Sequence, residues 1–355
     1  MLLKKKLCIG ALFGGILFFM IASHTIQKNS FSSVMDETAH STSSLLTEMQ
    51  TQNKTVTEMS QHHFCSCPTC ITDPGVSDWF DQRFDYEQKP YLSLDENDID
   101  PDALQWWLGL QRSANDSLSQ IIKKMFTVIS HPVKETHQLS HCRKCAVVGN
   151  SGNLLQSKYG DIINSHSFVF RMNKAMTVGF EQYVGNKTTH HIMYPESAVD
   201  LAPGVHLVLL PFKLRDLEWV ASALSTGEIK TFLNDCNSKY TPDLMMCLKV
   251  IVVNPGFFKY THDRWTEHHG RYPSTGMLAI VFALHICDEV SVFGYGADSQ
   301  GNWHHYWEEN KYAGAFRKTG VHNADFEQEI ILKLDAAGKI KLYPKVEHKP
   351  LINIT

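Results

Sequence analysis

The sequence has no excess of positive charge, no internal repeat and no glycine motif for dinucleotide binding. Its 355 residues include 33 Lys and Arg against 37 Asp and Glu, which gives a formal net charge of −4. Nucleic-acid-binding proteins usually carry a basic surface, so this balance does not favour a nucleic-acid partner. The G-x-G-x-x-G signature of dinucleotide binding is missing. With 43% hydrophobic and 20% charged residues, the chain can bury a sizeable hydrophobic core. A wholly disordered chain is therefore not expected.

One uncharged apolar run stands near the N-terminus. Lys4–Lys6 precede Leu7–Ser23, which is near the lower limit of the roughly 17–25 residues that cross a bilayer. A cleaved signal peptide is the alternative, but the paired small residues that cleavage needs are absent. We therefore predict a cytosolic tail at residues 1–6 and an uncleaved transmembrane anchor at 7–23. The positive-inside rule then places the rest of the chain in a lumen.

The composition predicts a stem followed by one folded unit. Residues 24–63 are rich in Ser, Thr, Gln and Asn, with Phe31 as the only aromatic residue, which predicts a disordered tether. The folded lumenal unit is predicted over residues 64–355. Four Asn-x-Ser/Thr glycosylation acceptors agree with a lumenal chain: Asn53, Asn115, Asn186 and Asn353.

Nine cysteines are many for a cytosolic enzyme. The first three cysteines after the anchor, Cys65, Cys67 and Cys70, follow His62 and His63. In a cytosolic protein this pattern would suggest a zinc site. In an oxidising lumen disulfides are favoured instead. An even set of six is available for pairing, and its connectivity stays open from cysteine arithmetic: Cys65, Cys67, Cys70, Cys142, Cys145 and Cys287. Cys8 lies in the anchor, and Cys236 and Cys247 are left over, either to pair or to stay free.

From Cys145 onward, strand-like and helix-like patterns alternate, which predicts an α/β fold with a mostly parallel, helix-flanked sheet. The predicted strands are Cys145–Gly149, Ser167–Arg171, Thr188–Tyr194, Val205–Leu210, Leu248–Val253 and Glu289–Phe293. The predicted helices run through Leu214–Leu224, Gly276–Ile286 and Phe326–Leu334. A further apolar helical stretch is predicted to begin at Trp106 and Trp107.

Two of the predicted turns carry groups that can bind an anion. Gly149–Gly152 follows a buried strand, and Asn173 closes the next one, so both lie at the sheet edge where α/β folds bind ligands. Pro273–Gly276 precedes an apolar helix and matches an N-terminal cap. Free N–H groups at such a helix start can hold a phosphate. An ordinary turn and capping alone are the alternative interpretations.

Two histidines follow in a polar, aromatic context. His305 lies in the segment Trp303–Glu308, and His322 precedes a predicted helix by a few residues. Because an unperturbed histidine has a pKa of roughly 6.5, either residue could act as a base near neutral pH. In a chain with 19 histidines, a surface or core role is the alternative for each.

These segments, in this order, resemble the four sialylmotifs of animal sialyltransferases, glycosyltransferase family 29. The matching stretches are Cys142–Pro195, Asn254–Phe293, His305–Glu308 and His322–Glu327. The chain is most similar to the β-galactoside α-2,3-sialyltransferases that act on Galβ1-3GalNAc, through Trp79–Asp81, Trp106-Trp107 and Tyr306–His322. The resemblance implies a single Rossmann-like catalytic domain, a GT-A-like variant, in a type II Golgi membrane protein.

The resemblance also implies residue roles. His322 is the general base that deprotonates the galactose 3-hydroxyl. His305 is also catalytic, because it contacts the donor phosphate and helps CMP leave. Gln111 binds the acceptor galactose. The residues implied to bind CMP-sialic acid are Asn150, Ser151, Asn173, Tyr272, Ser274, Thr275, Gly276, Gly296 and His305. The implied disulfides are Cys65–Cys70, Cys67–Cys142 and Cys145–Cys287. One stretch, Glu228–Met246, departs from the family pattern. Either Tyr240 replaces the nucleotide-contacting tyrosine of relatives, or no residue does.

No metal or other cofactor is expected, because a protonated histidine and helix N–H groups can offset the charge of a leaving nucleoside monophosphate. The Asp98–Asp100 tripeptide is interpreted as a helix start and not as a metal site. The expected partners are CMP-sialic acid, galactose-terminated O-glycans or glycolipids and the Golgi membrane, and a homodimer is compatible with the sequence. The alternatives are a metal-dependent glycosyltransferase that uses a nucleoside diphosphate sugar, and an inactive lumenal glycan-binding protein.

Overall fold

The computed structural model describes residues 65–111, 118–129, 141–228, 249–297, 302–309 and 320–343. All of them belong to the unit Phe64–Thr355. In this part of the chain, no helix is long and apolar enough to span a bilayer. Several predictions fall outside these residues: the tail, anchor and stem, the acceptors Asn53, Asn115 and Asn353, and Tyr240, Cys236 and Cys247. Asn186 is described, and it is exposed in the loop before the third strand.

The described chain forms one seven-stranded sheet in which every pair of neighbours is parallel. The strands are β1 Lys144–Val148, β2 Phe168–Met172, β3 His190–Met193, β4 His206–Leu209, β5 Val250–Val252, β6 Glu289–Phe293 and β7 Lys341–Tyr343. Their order is β5-β4-β3-β2-β1-β6-β7. The predicted parallel α/β sheet is confirmed. The edge strand β7 was not predicted, because its three residues carry no apolar run.

Nine α-helices lie within the described residues. They are α1 Asp78–Asp81, α2 Pro101–Gln111, α3 Leu118–Val128, α4 Gly160–Asn164, α5 Glu181–Val184, α6 Leu214–Ala223, α7 Pro255–Tyr260, α8 Thr275–Ile286 and α9 Ala324–Ala336. The helical stretch predicted at Trp106 and Trp107 is confirmed as part of α2, but α2 begins at Pro101, five residues earlier than predicted. Asp100 starts it instead, since its Oδ1 accepts from the amides of Asp102 and Ala103 at 3.0 and 3.1 Å.

Both faces of the sheet are covered, which explains why its strands read as continuous apolar runs. Helix α8 is apolar on all sides and packs on β1, β2 and β6, together with α9 and the aromatic residues Phe80 and Phe84. Helices α2, α3 and α6 contribute a second core cluster. The core is therefore a layered α/β arrangement that leaves the ends of the strands accessible.

Three disulfides lie within the described residues, and one of them, Cys67–Cys142, ties the N-terminal segment to the residues just before β1. They join Cys65–Cys70, Cys67–Cys142 and Cys145–Cys287, which confirms the implied pairing and removes these thiols as zinc ligands. Cys145 lies in β1, and Cys287 ends α8. The last bridge therefore links β1 to the helix that packs on it.

Candidate active site

Strands β2 to β5 lie on one side of β1, and strands β6 and β7 lie on its other side. The strand order therefore reverses between β1 and β6. Parallel sheets bind ligands at the carboxyl ends of the strands beside such a switch point. The turns after β1 and β6 approach closely there: the Gly149 amide donates to the Phe293 carbonyl at 2.7 Å, and the Ser151 amide donates to the Gly294 carbonyl at 3.1 Å. A Cβ on Gly149 would lie 2.3 Å from the Gly294 oxygen, so this approach requires glycine.

A cavity of ≈ 300 Å³ opens at this edge, large enough for part of a nucleotide sugar. It gathers predicted site residues from six separate segments. Those that line it are Asn150, Ser151, Asn173, Ser274, Thr275, Gly276, Gly296, His305 and His322. Tyr194, Tyr295, Glu327 and Gln328 also line it, although sequence reasoning assigned them no role.

Two asparagines present unsatisfied acceptors in the cavity. The Asn150 amide nitrogen donates to the Met172 carbonyl at 3.1 Å, while the Oδ1 atoms of Asn150 and Asn173 are buried without a hydrogen-bond partner. Asn173 has a φ of 57°, in the left-handed region that asparagine tolerates. Because a buried unpaired acceptor costs about 1–3 kcal/mol, we expect hydroxyl or amine groups of a ligand to satisfy both atoms.

The start of helix α8 forms the anion-binding side of the cavity. Ser274 Oγ accepts from the Met277 amide at 3.1 Å, which confirms the predicted cap. The carboxylate of Glu327 accepts from both the Ser274 amide (2.8 Å) and the Ser274 hydroxyl (2.5 Å). Burial raises the pKa of Glu327 to about 7. The first turn of α8 is thus fixed with its N–H groups at the cavity, where they can bind a phosphate.

Tyr295 joins this helix start to the two glycine turns. Its hydroxyl donates to the Gly276 carbonyl at 3.0 Å, and a Cβ on Gly149 or Gly276 would lie 2.9–3.0 Å from its ring. Burial raises the pKa of Tyr295, so the hydroxyl stays protonated. The glycines on both sides of Tyr295 were the only signal in the sequence for this role.

His322 is held in the geometry of a general base. Its Nδ1 contacts the Tyr272 carbonyl at 2.8 Å, and since a carbonyl only accepts, Nδ1 carries the proton and Nε2 the lone pair. The Tyr272 ring meets the imidazole edge-to-face at 5.0 Å. Burial lowers the pKa of His322, which favours the neutral ring. Tyr272 does not line the cavity itself and acts on it through His322.

His305 lies beside the turn after β1, where it forms an antiparallel bridge with Ser151. Its Nδ1 is 3.0 Å from a carboxylate oxygen of Glu308, and its ring stacks on Trp307 with centroids 4.5 Å apart. The carbonyl of the neighbouring Asn150 accepts from the Tyr306 amide at 3.0 Å. These contacts fix His305 beside the β1 turn, in the cavity that the start of α8 also lines.

Gln111 is not brought into the cavity. Its Oε1 accepts from the Leu214 amide at 2.5 Å, and its Nε2 donates to the Trp107 carbonyl at 3.4 Å. The side chain therefore joins the end of α2 to the start of α6. Its acceptor-binding role stays a prediction.

A parallel α/β sheet with a cavity at its switch point, an anion-binding helix start and a positioned histidine base defines a group-transfer enzyme for a nucleotide-activated substrate. Residues 92–339 match the model of glycosyltransferase family 29 (sialyltransferase). The chain belongs to this family.

Similar proteins give the same assignment. The chain is 52% identical over 296 residues to the rat CMP-N-acetylneuraminate-beta-galactosamide-alpha-2,3-sialyltransferase 2, covering 82% of this chain and 83% of that protein. It is 48% identical over 287 residues to the human CMP-N-acetylneuraminate-beta-galactosamide-alpha-2,3-sialyltransferase 1, covering 80% of this chain and 83% of that protein. A crystal structure of a mammalian sialyltransferase in complex with Gal-beta-1-3GalNAc-ortho-nitrophenol matches with a TM-score of 0.69 and 46% identity, covering 79% of this chain and 98% of that one.

Proposed function

We propose that this sialyltransferase moves sialic acid from CMP-sialic acid to the 3-hydroxyl of the galactose in Galβ1-3GalNAc. The observation that carries the proposal is the juxtaposition, in one cavity, of two unsatisfied asparagine oxygens, the start of α8 and the neutral imidazole of His322. The names of the similar α-2,3-sialyltransferases and the acceptor analogue in the similar structure support this donor and this acceptor.

The chemistry follows from the two histidines. As the galactose O3 attacks the anomeric carbon of sialic acid, Nε2 of His322 takes its proton. The bond between that carbon and the phosphate oxygen breaks, CMP leaves with the electron pair, and the anomeric configuration inverts. The N–H groups of α8 and the imidazole of His305 stabilise the phosphate. Asn150 and Asn173 hold the nucleoside, and Gln111 serves the acceptor.

The same proposal includes a Golgi type II membrane location for the chain and N-glycans on its acceptor asparagines. The three disulfides support an oxidising compartment. Exposed Asn186 is accessible for a glycan.

A panel assay tests the function. The full chain is incubated with CMP-sialic acid or UDP-galactose and with Galβ1-3GalNAc, Galβ1-4GlcNAc or lactose, with and without EDTA. We expect transfer from CMP-sialic acid to Galβ1-3GalNAc, undiminished by EDTA. Complete loss in EDTA that Mn²⁺ restores, or transfer only from the UDP-sugar, would contradict the proposal.

A further inference from the structure

The residues that hold His322 form a short two-stranded ribbon. Segment 270–272 runs antiparallel beside 321–322, with a bridge between Gly270 and His322. The Arg271 amide donates to the Val321 carbonyl at 2.7 Å, and the next carbonyl, of Tyr272, accepts from the imidazole. A Cβ on Gly270 would lie 3.0 Å from the His322 Cα. Gly270, Arg271 and Tyr272 therefore fix both the backbone and the imidazole ring of His322.

The side chain of Arg271 fastens this ribbon to helix α2. Its guanidinium donates to the Leu110 carbonyl in the last turn of α2. Carbonyls at a helix C-terminus have no partner within the helix, and a cation is favourable there. The next residue, Gln111, is the proposed acceptor-binding residue. Arg271 thus connects the C-terminal end of α2 to the segment that carries His322. Its guanidinium donates to the Leu110 carbonyl, and its amide donates to the Val321 carbonyl.

We propose that Arg271 is a positioning residue that sets the distance between an acceptor held at the end of α2 and Nε2 of His322. The inference rests on the proposed function, because it takes the acceptor to lie against α2. Arg271 does not line the cavity. Its loss should therefore slow the acceptor-dependent step and leave nucleotide binding unchanged.

Arg264 provides a matched control. It is also an exposed arginine, and its guanidinium also donates to a backbone carbonyl, that of Gln82 at 3.3 Å. No described contact joins its side chain to the ribbon or to α2. If the bond of Arg271 served only folding, the two arginines would respond alike to truncation.

The test compares Arg271→Ala, Arg271→Lys and Arg264→Ala in the full chain. We measure kcat and the KM values for Galβ1-3GalNAc and CMP-sialic acid, CMP affinity by calorimetry, and Tm. Arg271→Ala should lower kcat/KM for the acceptor about tenfold, with CMP affinity within about twofold of wild type. Lysine should restore part of the loss, because its ammonium can still donate to one carbonyl.

Two results would overturn the inference: kinetics of Arg271→Ala that equal those of Arg264→Ala, or a loss of activity matched by a loss of CMP affinity. A wild-type chain that binds CMP and transfers no sialic acid would instead contradict the proposed function. The two failures are therefore distinguishable.

Discussion

At the scale of single residues, hydrogen bonds to the backbone decide what the titratable groups of the cavity can do. The Tyr272 carbonyl selects the His322 tautomer that can accept a proton, and burial lowers the pKa of that ring. Ser274 gives two hydrogen bonds to the carboxylate of Glu327, while burial raises the pKa of this acid to about 7. One group is thus kept neutral for catalysis, and the other titrates near neutral pH.

Replacing His322 with alanine should lower kcat by roughly 10²–10⁴-fold, the usual contribution of a general base. Calorimetry should show CMP affinity within about twofold of wild type. In the wild type, log(kcat/KM) should fall only at a pH below the ordinary histidine value, because the pKa is lowered. His268→Ala, at an exposed histidine outside the cavity, is the control. Turnover by His322→Ala equal to this control would remove His322 from its role.

Glu327 should make stability depend on pH. Its pKa is about 7 in the folded chain against 4.5 for the free group, so between these values the native state holds a proton that the unfolded state has lost. Stability should therefore fall as pH rises from about 4.5 to 7, by about 3 kcal/mol in total. Glu327→Gln, which cannot titrate, should flatten this slope in thermal unfolding between pH 5 and 7.5. An unchanged slope in the variant would assign the pH dependence to another group.

At the scale of elements, the site depends on the close approach of the turns after β1 and β6. Alanine at Gly149 would place its Cβ 2.3 Å from the Gly294 oxygen, so the turns must separate. We expect Gly149→Ala to abolish CMP binding in calorimetry. Gly109 lies in helix α2 with nothing within 4 Å of an added Cβ. Gly109→Ala should keep CMP binding and gain roughly 0.5–1 kcal/mol of stability. Wild-type CMP affinity in Gly149→Ala would contradict the role of this turn.

Element patterns were readable from the sequence because parallel strands buried on both faces are apolar runs, such as Ala146–Val148. The cap at Ser274 was readable because capping is a local interaction. The hydrogen-bond partners of Ser274 and Tyr295 could not be predicted from the sequence. Glu327 meets Ser274, and Gly276 meets Tyr295, only after the helices pack on the sheet. Gln111 was assigned by resemblance alone, and its contact with Leu214 depends on how α2 and α6 pack.

At the scale of the whole molecule, two of the three disulfides in the described residues hold together segments that are distant in sequence. Cys145–Cys287 spans 142 residues, whereas Cys65–Cys70 spans 5. In the chain-entropy account, the long loop contributes roughly 3 kcal/mol more stability than the short one. The double variant Cys145→Ala/Cys287→Ala should therefore lower Tm much more than Cys65→Ala/Cys70→Ala. Equal Tm losses would contradict this ranking.

The central claim is that the protein transfers sialic acid, within one cavity, from CMP-sialic acid to the 3-hydroxyl of galactose. The most direct measurement is the structure of the product that the full chain makes from CMP-sialic acid and Galβ1-3GalNAc, determined by NMR. The account predicts one sialic acid in an α-2,3 linkage to galactose, with inverted anomeric configuration. A product linked through another hydroxyl, or one with retained configuration, would contradict it.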